Sequence, residues 1–359
     1  AEWWPVSVFC TACEKDTTTV EAWNGEWKLV YACSSCGNRE QVDLRETGAV
    51  KLPWRIDWPM RWKEEGVDFE PAGKDHHSEG GSFDTAREVV TEIFEGESPV
   101  TFQYDFIRIK GRGGKISSST GEVVSLRDVL EVYQPEIVRY LFVSTKPNSE
   151  FAISFDLDVL KIYEDYDKCE RIYFGAEEVG EKRREKEKRI YELSQVGDVP
   201  PEMPYQIAFR HLCNLLQIQE GDIDAALDML ADIKESQKER IRVRAQCAWN
   251  WITGFAPEDF RFHLRTESTP PAQFSSQEKE ALTELAEVAS RLDQYDEKGV
   301  SEAVYEIAGN REMEPKALFA AVYRALIGKE KGPRLAGFML TAGKEKVTRA
   351  LELALNEKT

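Results

Sequence analysis

The chain has 359 residues, of which 42% are hydrophobic and 31% are charged, and its formal net charge at pH 7 is −18. This composition is typical of a globular protein with two or three domains. No run approaches the roughly 18 apolar residues of a membrane span, and no basic segment followed by an apolar one opens the chain as in a secretory signal. We therefore expect a cytoplasmic protein. The acidic balance argues against nucleic-acid binding through overall charge but permits a local basic patch.

Four of the seven cysteines form two Cys-x-x-Cys units, Cys10/Cys13 and Cys33/Cys36. Between them, Asn24-Gly25 joins two strand-like runs, as in a two-residue hairpin turn. Two such units flanking a hairpin predict a zinc ribbon, because four thiolates complete a tetrahedral site for structural Zn²⁺. The alternative is a redox-active or metal-free set of thiols.

Residues 48–63 contain Trp54, Trp58 and Trp62, an aromatic density typical of a core or a domain contact. A short strand over 67–72 then leads into Gly73-Lys74-Asp75-His76. A helix is predicted from about Phe83, with Ser82 as its N-cap. Ligands of open α/β sheets collect at such strand ends. Taken alone, the segment favours a turn with an Asp cap and an exposed histidine pair, and Lys115 further along the chain favours the ligand site instead.

A predicted strand over 104–109 precedes a glycine-rich loop, 111–121, that contains Lys115 and a row of hydroxyl groups. Glycines let a backbone approach an anion closely, and N–H groups, hydroxyls and a lysine can bind phosphate. A flexible linker is the alternative for this composition. A helix over 125–133 follows, is broken at Pro135, and gives way to a second helix from Glu136 to about Val143.

The segment Lys115-Ile116-Ser117-Ser118-Ser119 resembles the signature loop of class I aminoacyl-tRNA synthetases, although Ser118 stands where the usual second lysine would be. The class I lysyl-tRNA synthetases of archaea and some bacteria are similar over a larger set of segments. These are the signature loop with Thr120-Gly121, residues 135–142 and the segment 73–82. The resemblance implies that lysine and ATP, which brings Mg²⁺, form lysyl-adenylate. The lysyl group then passes to the 3′ end of tRNA(Lys).

The resemblance also implies roles for individual residues. Lys115 would stabilise charge on the leaving pyrophosphate, and Trp54 would pack beside the bound lysine. For Trp54 and Tyr104 the alternatives are core packing and a half-buried strand tyrosine. The implied catalytic residues are Lys115, Ser117 and Ser119; the ATP contacts are Gly73, Asp75, His76 and Lys115; the substrate contacts are Trp54, His76 and Tyr104.

The remainder of the chain is predicted to be helical. A helix over 155–174 carries acidic residues, among them Asp167, that we assign to a solvated face rather than to a metal site. The run 182–189 is predicted as a solvated helix with paired charges, with a tRNA contact as the alternative. From about Tyr205 onward, apolar residues recur at helical spacing. The segment 315–338 is similar to the anticodon-binding helices of class I lysyl and bacterial glutamyl synthetases.

The implied fold is α/β plus all-α. It comprises a zinc-ribbon insertion (1–47), the second half of a Rossmann-type catalytic domain with the signature loop (48–150), stem-contact helices (151–200) and a helical anticodon-binding region (201–359). The chain has no His-x-Gly-His motif. We therefore expect the first half of the catalytic domain to be absent from this sequence, which makes this polypeptide inactive alone. The alternatives are a glutamyl- or glutaminyl-type class I synthetase and a non-catalytic tRNA-binding zinc-ribbon protein.

Overall fold

The computed structural model describes residues 4–110, 124–230 and 233–356. The chain divides into two compact units, one formed by Ala1–Ile107 with Pro147–Phe151 and the other by Arg108–Lys146 with Ala152–Thr359. Strands occur together with helices in the first part of the chain, and helices dominate after it, so the fold is mixed α/β and helical. Within the described residues, no helix is both long and apolar enough to cross a membrane.

The first unit contains small sheets and a helix pair. The strands are β1 (Ser7–Val8), β2 (Thr18–Trp23), β3 (Lys28–Cys33), β4 (Arg39–Asp43), β5 (Val50–Lys51), β6 (Phe69–Gly73) and β7 (Val100–Tyr104), and the helices are α1 (Trp54–Glu65) and α2 (Ser82–Glu92). β1 pairs with β5, β2-β3-β4 form an antiparallel sheet, and β6 pairs with β7 in parallel.

The predicted hairpin is present, but its turn is longer than two residues. Trp23 of β2 pairs with Leu29 of β3, so the loop includes more than Asn24-Gly25. The Asn24 side chain accepts hydrogen bonds from the backbone N–H groups of Glu26 and Lys28, each at 3.0 Å. Such Asx-type bonds stabilise a wider turn. The third strand, β4, was not predicted.

The helix pair packs beside β6. Trp62 of α1 and Phe83, Ala86 and Val90 of α2 form a buried cluster with Ala72 of β6. Residues 48–63, predicted only as an aromatic-rich core segment, are therefore mostly the helix α1.

Two local predictions next to this cluster were wrong in detail. The N-cap of α2 is Gly81, and Ser82 is its first helical residue, because the Ser82 side chain bonds to His76 instead of the helix backbone. The strand predicted over 104–109 is interrupted after Tyr104, where the Asp105 carboxylate accepts from the backbone N–H of Phe106 at 2.8 Å.

The second unit is mostly helical, with the strands β8 (Ile107–Lys110) and β9 (Phe151–Ser154) paired with each other. The helices are α3 (Leu126–Val132), α4 (Pro135–Ser144), α5 (Asp158–Tyr173), α6 (Glu181–Ser194), α7 (Phe209–Ile218), α8 (Ile223–Asp228), α9 (Glu235–Gly254), α10 (Ser276–Ala289), α11 (Glu297–Asn310), α12 (Pro315–Ile327), α13 (Leu335–Ala342) and α14 (Lys344–Asn356). The predicted helical region after Tyr205 is thus confirmed. Helices α10 to α14 enclose a large apolar core around Leu285, Leu318 and Leu351.

The acidic face predicted for α5 is not entirely solvated. Asp167 and Glu170 are buried, with 4% and 0% of their surface exposed. Arg244 of α9 pairs with Asp167 at 2.6 Å, and Arg240 pairs with Glu170 at 2.7 Å. The assignment of Asp167 to solvent was wrong because its cationic partner comes from a helix far along the chain.

Candidate functional site

Two parallel strands end side by side in the first unit. Their last residues, Gly73 of β6 and Tyr104 of β7, lie directly opposite each other. The Lys74 backbone N–H donates to the Tyr104 carbonyl at 2.9 Å and extends the pairing beyond β6. The loop 74–81 begins at this point and leads into α2. Ligands collect where parallel strands end near a helix N-terminus, so this loop is the candidate site.

Gly73 lies at the centre of this candidate site. A Cβ atom on Gly73 would lie 2.8 Å from Asp75 Oδ1, 3.4 Å from the Tyr104 ring and 3.8 Å from the His76 ring. A side chain at position 73 would therefore have to displace the Asp75 carboxylate, and glycine leaves room for that carboxylate beside the strand end. The structure therefore brings together four residues that the sequence singled out, Gly73, Asp75, His76 and Tyr104.

Trp54 flanks the same site. Its indole stacks on Trp58 with 4.6 Å between ring centroids, and it lies 5.5 Å from the His76 ring. Half of Trp54 remains exposed. A solvent-facing indole on a packed aromatic base is a suitable surface for an aliphatic stem or a cation.

The adjacent histidines have different partners. His77 Nδ1 lies 3.2 Å from the Gly73 carbonyl oxygen, and its Nε2 lies 2.9 Å from Thr101 Oγ1. Its ring stacks on Phe83 at 4.7 Å. Because a carbonyl only accepts hydrogen bonds, Nδ1 of His77 is the donor to Gly73. His77 therefore connects β6, β7 and α2 and has a structural role.

His76 faces the other way. Its Nδ1 lies 2.7 Å from the buried Ser82 Oγ, and its ring packs against Trp54 and Trp58. The sequence placed both histidines in one motif and did not identify Ser82 as a side-chain partner. The sequence analysis also assigned no role to Lys74. This lysine pairs with Asp105 at 3.3 Å and puts a positive charge beside the site.

The predicted catalytic residues Lys115, Ser117 and Ser119 lie outside the described residues. Lys110 at the end of β8 pairs with Asp158 of α5. After the loop, Ser125 caps α3 in a capping box with Asp128.

The four cysteines of the two Cys-x-x-Cys units converge. Their sulfur atoms all lie within 4.8 Å of one another. Cys10 Sγ lies 3.5 Å from Cys36 Sγ, and Cys13 Sγ lies 3.7 Å from Cys33 Sγ. A tetrahedral zinc site with Zn–S bonds of about 2.3 Å has sulfur atoms about 3.8 Å apart. The cluster therefore fits a four-thiolate metal ion, without an open ligand position.

The pKa values of Cys10 and Cys36 in this cluster differ from that of an ordinary cysteine. Burial raises the pKa of Cys10, but the Ala12 and Cys13 backbone donors and the Cys36 thiol outweigh it and lower the pKa to about 6. For Cys36, the Asn38 backbone donor lowers the pKa, but the thiols of Cys10 and Cys13 raise it to about 12. The cluster thus favours a thiolate at Cys10, the form that binds metal ions.

A groove of about 1440 Å³ opens in the helical unit between α7, the segment 258–262 and the segment 327–341. The wall carries charges of both signs: the exposed cations Arg210, Lys331 and Arg334 lie on it together with exposed acids such as Glu258 and Glu330. Arg210 lies over the Phe260 ring at 5.8 Å. Sequence reasoning did not assign this groove, because its walls come from separate stretches of the chain.

The charged run 182–189 forms part of α6. Arg183 pairs with Glu187 at 3.5 Å, one helical turn along, and Lys188 pairs with Glu185 at 3.9 Å. These pairs confirm the predicted helix with paired charges.

Comparison with known proteins assigns both halves of the chain. Residues 1–197 match the family described as "tRNA synthetases class I (K)", and residues 223–355 match "Anticodon binding domain". The chain is 56% identical over 354 residues to the lysine–tRNA ligase of Treponema pallidum, covering 98% of this chain and 67% of that protein. For the Borreliella burgdorferi lysine–tRNA ligase, the identity is 54% over 342 residues, with coverages of 95% and 65%. The Pyrococcus horikoshii lysine–tRNA ligase is 38% identical over 358 residues, with coverages of 98% and 67%. The chain thus spans about two thirds of the length of these relatives.

Proposed function

Because the chain belongs to the class I (K) tRNA synthetase family, we propose that it serves the ATP-dependent attachment of lysine to tRNA(Lys). In this reaction the lysine carboxylate attacks the α-phosphate of ATP and releases pyrophosphate. The 3′-terminal hydroxyl of the tRNA then attacks the adenylate carbonyl and releases AMP. The observation that carries the proposal is the match of residues 1–197 together with the strand-end site around Gly73.

In our proposal the strand-end site binds the adenylate. The bare backbone at Gly73 lets a nucleotide approach closely, and the Asp75 carboxylate accepts hydrogen bonds from hydroxyl groups. Trp54 packs against the aliphatic stem and ammonium group of lysine. Tyr104 and His76 supply polar contacts to the substrate. The proximity of these side chains to one another supports this assignment.

The loop between β8 and α3 supplies the charge stabilisation. By family resemblance, Lys115 meets the negative charge that develops on the leaving pyrophosphate, and Ser117 and Ser119 donate hydrogen bonds to it. Magnesium bound to ATP would neutralise part of the phosphate charge. On either side of residues 111–123, Lys110 pairs with Asp158 and Ser125 caps α3.

Zn²⁺ at Cys10, Cys13, Cys33 and Cys36 is the proposed structural metal. The four-thiolate geometry supports zinc over metals that prefer oxygen ligands. In this proposal residues 1–47 form a ribbon inserted in the catalytic domain, and residues 48–150 form the second half of that domain. Residues 151–200 contact the tRNA stem, and residues 201–359 bind the anticodon region.

The groove in the helical unit is the proposed contact for the tRNA anticodon region. Its exposed cations Arg210, Lys331 and Arg334 can bind phosphates despite the net charge of −18. Because Lys331 would contact phosphate, Lys331→Ala should weaken binding of tRNA(Lys) and reduce the slope of log affinity against log salt by about 1. Lys298→Ala removes an exposed lysine that is paired with Glu302 and serves as the control. Equal salt slopes for both variants would exclude a phosphate contact at Lys331.

The activity is tested by exchange of pyrophosphate into ATP, using protein expressed from its complete gene with tRNA(Lys) present. We expect exchange that depends on lysine and is lost in Lys115→Ala. Lys146→Ala, which removes an exposed lysine after α4, should retain exchange. Exchange with glutamate or glutamine instead of lysine would identify a glutamyl- or glutaminyl-type enzyme. Absence of exchange with retained tRNA binding would indicate a non-catalytic tRNA-binding protein.

A further inference from the structure

The contact between His76 and Ser82 determines which ring nitrogen of His76 faces the site. Ser82 Oγ lies 2.7 Å from His76 Nδ1, a distance at which either atom can be the donor. Ser82 is 6% exposed and is the first residue of α2. Among the described residues, its hydroxyl makes no second hydrogen bond.

The protonation of the pair follows from the hydrogen-bond capacity of each atom. If Nδ1 carried a proton, in either the Nδ1–H tautomer or the imidazolium, it would donate to Ser82 Oγ. The hydroxyl proton of the buried serine would then have no acceptor, which is unfavourable. If Nδ1 is unprotonated, it accepts the hydroxyl proton and the pair is satisfied. Nε2 of His76 then carries the proton.

We propose that Ser82 is a positioning residue for the adenylation reaction: its hydroxyl donates to Nδ1 of His76 and holds His76 as the Nε2–H tautomer. This role rests on the proposed function of the site. In this state His76 presents a hydrogen-bond donor to an oxygen atom of ATP or of the adenylate. Ser82 acts through His76 and does not itself contact the substrate.

The neighbouring histidine supports a division of roles. His77 uses Nδ1 and Nε2 on Gly73 and Thr101, so neither nitrogen is left for a ligand. His76 has Nδ1 fixed by Ser82, and its Nε2 makes no hydrogen bond among the described residues. Gly81 permits this geometry, because a Cβ there would lie 2.5 Å from the His76 carbonyl oxygen. The serine can therefore approach the imidazole across a tight loop.

The tautomer can be measured directly by ¹⁵N NMR on protein from the complete gene with labelled histidine. His76→Gln assigns the His76 signal, because that signal is absent from the spectrum of the variant. We expect a pyridine-type shift for Nδ1 and a pyrrole-type shift for Nε2. Ser82→Ala should give a mixture of tautomers, and Ser82→Thr, which keeps the hydroxyl, should restore the wild-type shifts. A protonated Nδ1 in the wild type, or unchanged shifts in Ser82→Ala, would overturn the proposal.

Kinetics then show whether the tautomer matters to the reaction. Ser82→Ala should lower kcat for lysine-dependent pyrophosphate exchange by roughly 10- to 100-fold, since misplaced groups cost rates of this order. The control Thr91→Ala removes another hydroxyl from α2, which bonds only to the Arg87 carbonyl among the described residues, and should leave kcat unchanged. Full activity of Ser82→Ala would reject the positioning role. If the wild type shows no exchange, the proposed function fails, and the NMR result still decides whether Ser82 sets the tautomer.

Discussion

The ion pair between Arg244 and Asp167 joins α9 to α5 inside the helical unit, and its removal should be costly. The guanidinium donates to both carboxylate oxygens, at 2.9 and 2.6 Å. Both residues are almost fully buried. Arg244 also lies over the ring of Tyr163 at 4.9 Å. Burial raises the pKa of Asp167, and Arg244 opposes that rise.

Arg244→Met removes the cation and leaves the Asp167 carboxylate buried without its partner. Removing one member of a buried pair costs about 3–5 kcal/mol. The double variant Asp167→Leu/Arg244→Met removes both desolvated charges, and such replacements are often neutral or stabilising by about 1–4 kcal/mol. The double variant should therefore be more stable than the single variant, although it departs further from the natural sequence.

Hydrogen exchange with mass spectrometry can measure this effect in α5 and α9 separately from the first unit. A loss of about 3–5 kcal/mol corresponds to a fall in protection of roughly 10²- to 10³-fold or more. We expect this fall for Arg244→Met in peptides from both helices, and recovery in the double variant. Unchanged protection in Arg244→Met, or a double variant less protected than the single one, would refute the assigned energetics.

Three further substitutions test other parts of the structure. Cys36→Ser should abolish binding of the proposed stoichiometric zinc, measured by elemental analysis, and should increase hydrogen exchange in peptides around the four cysteines, as chelation of the wild type should also do. Gly221→Ala should destabilise the helical unit by about 1–3 kcal/mol in thermal unfolding, because φ is +90° and the new Cβ would lie 2.4 Å from the Trp249 ring; an unchanged melting temperature would contradict this. The Lys110 hydrogen bond lowers the pKa of Asp158, so the pair stabilises the fold above the unfolded pKa of about 3.9 and loses this effect as pH falls through the lower folded pKa. Asp158→Asn should therefore reduce the loss of melting temperature on acidification, and an unchanged acid profile would count against the pairing.

Features encoded over short stretches could be predicted from the sequence. The Cys-x-x-Cys spacing and the strand-like runs between the two units are local features that predicted a four-cysteine cluster, and the four sulfur atoms do converge. The i, i+3, i+4 spacing after Tyr205 predicted helices that the structure contains. Helix ends were harder to place, because Ser82 has a hydroxyl suited to capping but bonds to His76 instead.

Features that depend on distant partners could not be predicted. Asp167 lies four residues after Tyr163 and seven after Leu160, so helical spacing places it on the buried face of α5. Its partner Arg244 is 77 residues away, and no local pattern identifies it. The groove in the helical unit also depends on distant parts of the chain, since Arg210 and Lys331 line it together only after α7 and the segment beyond α12 pack together. The pairing of a buried charge depends on tertiary contacts, and helical periodicity alone cannot show which residue is the partner.

The histidine pair shows why a motif does not by itself assign roles to its residues. His76 and His77 are chemically identical and adjacent, so the sequence offers no basis for separating them. Their difference comes from backbone direction at the end of β6, which turns His77 toward Gly73 and Thr101 and His76 toward Ser82. An imidazole with both nitrogens bonded to the fold has no nitrogen left for a substrate. The histidine with one nitrogen fixed and the other available is the one suited to bind it, and the side chain that fixes it lies six residues further along, at the start of α2.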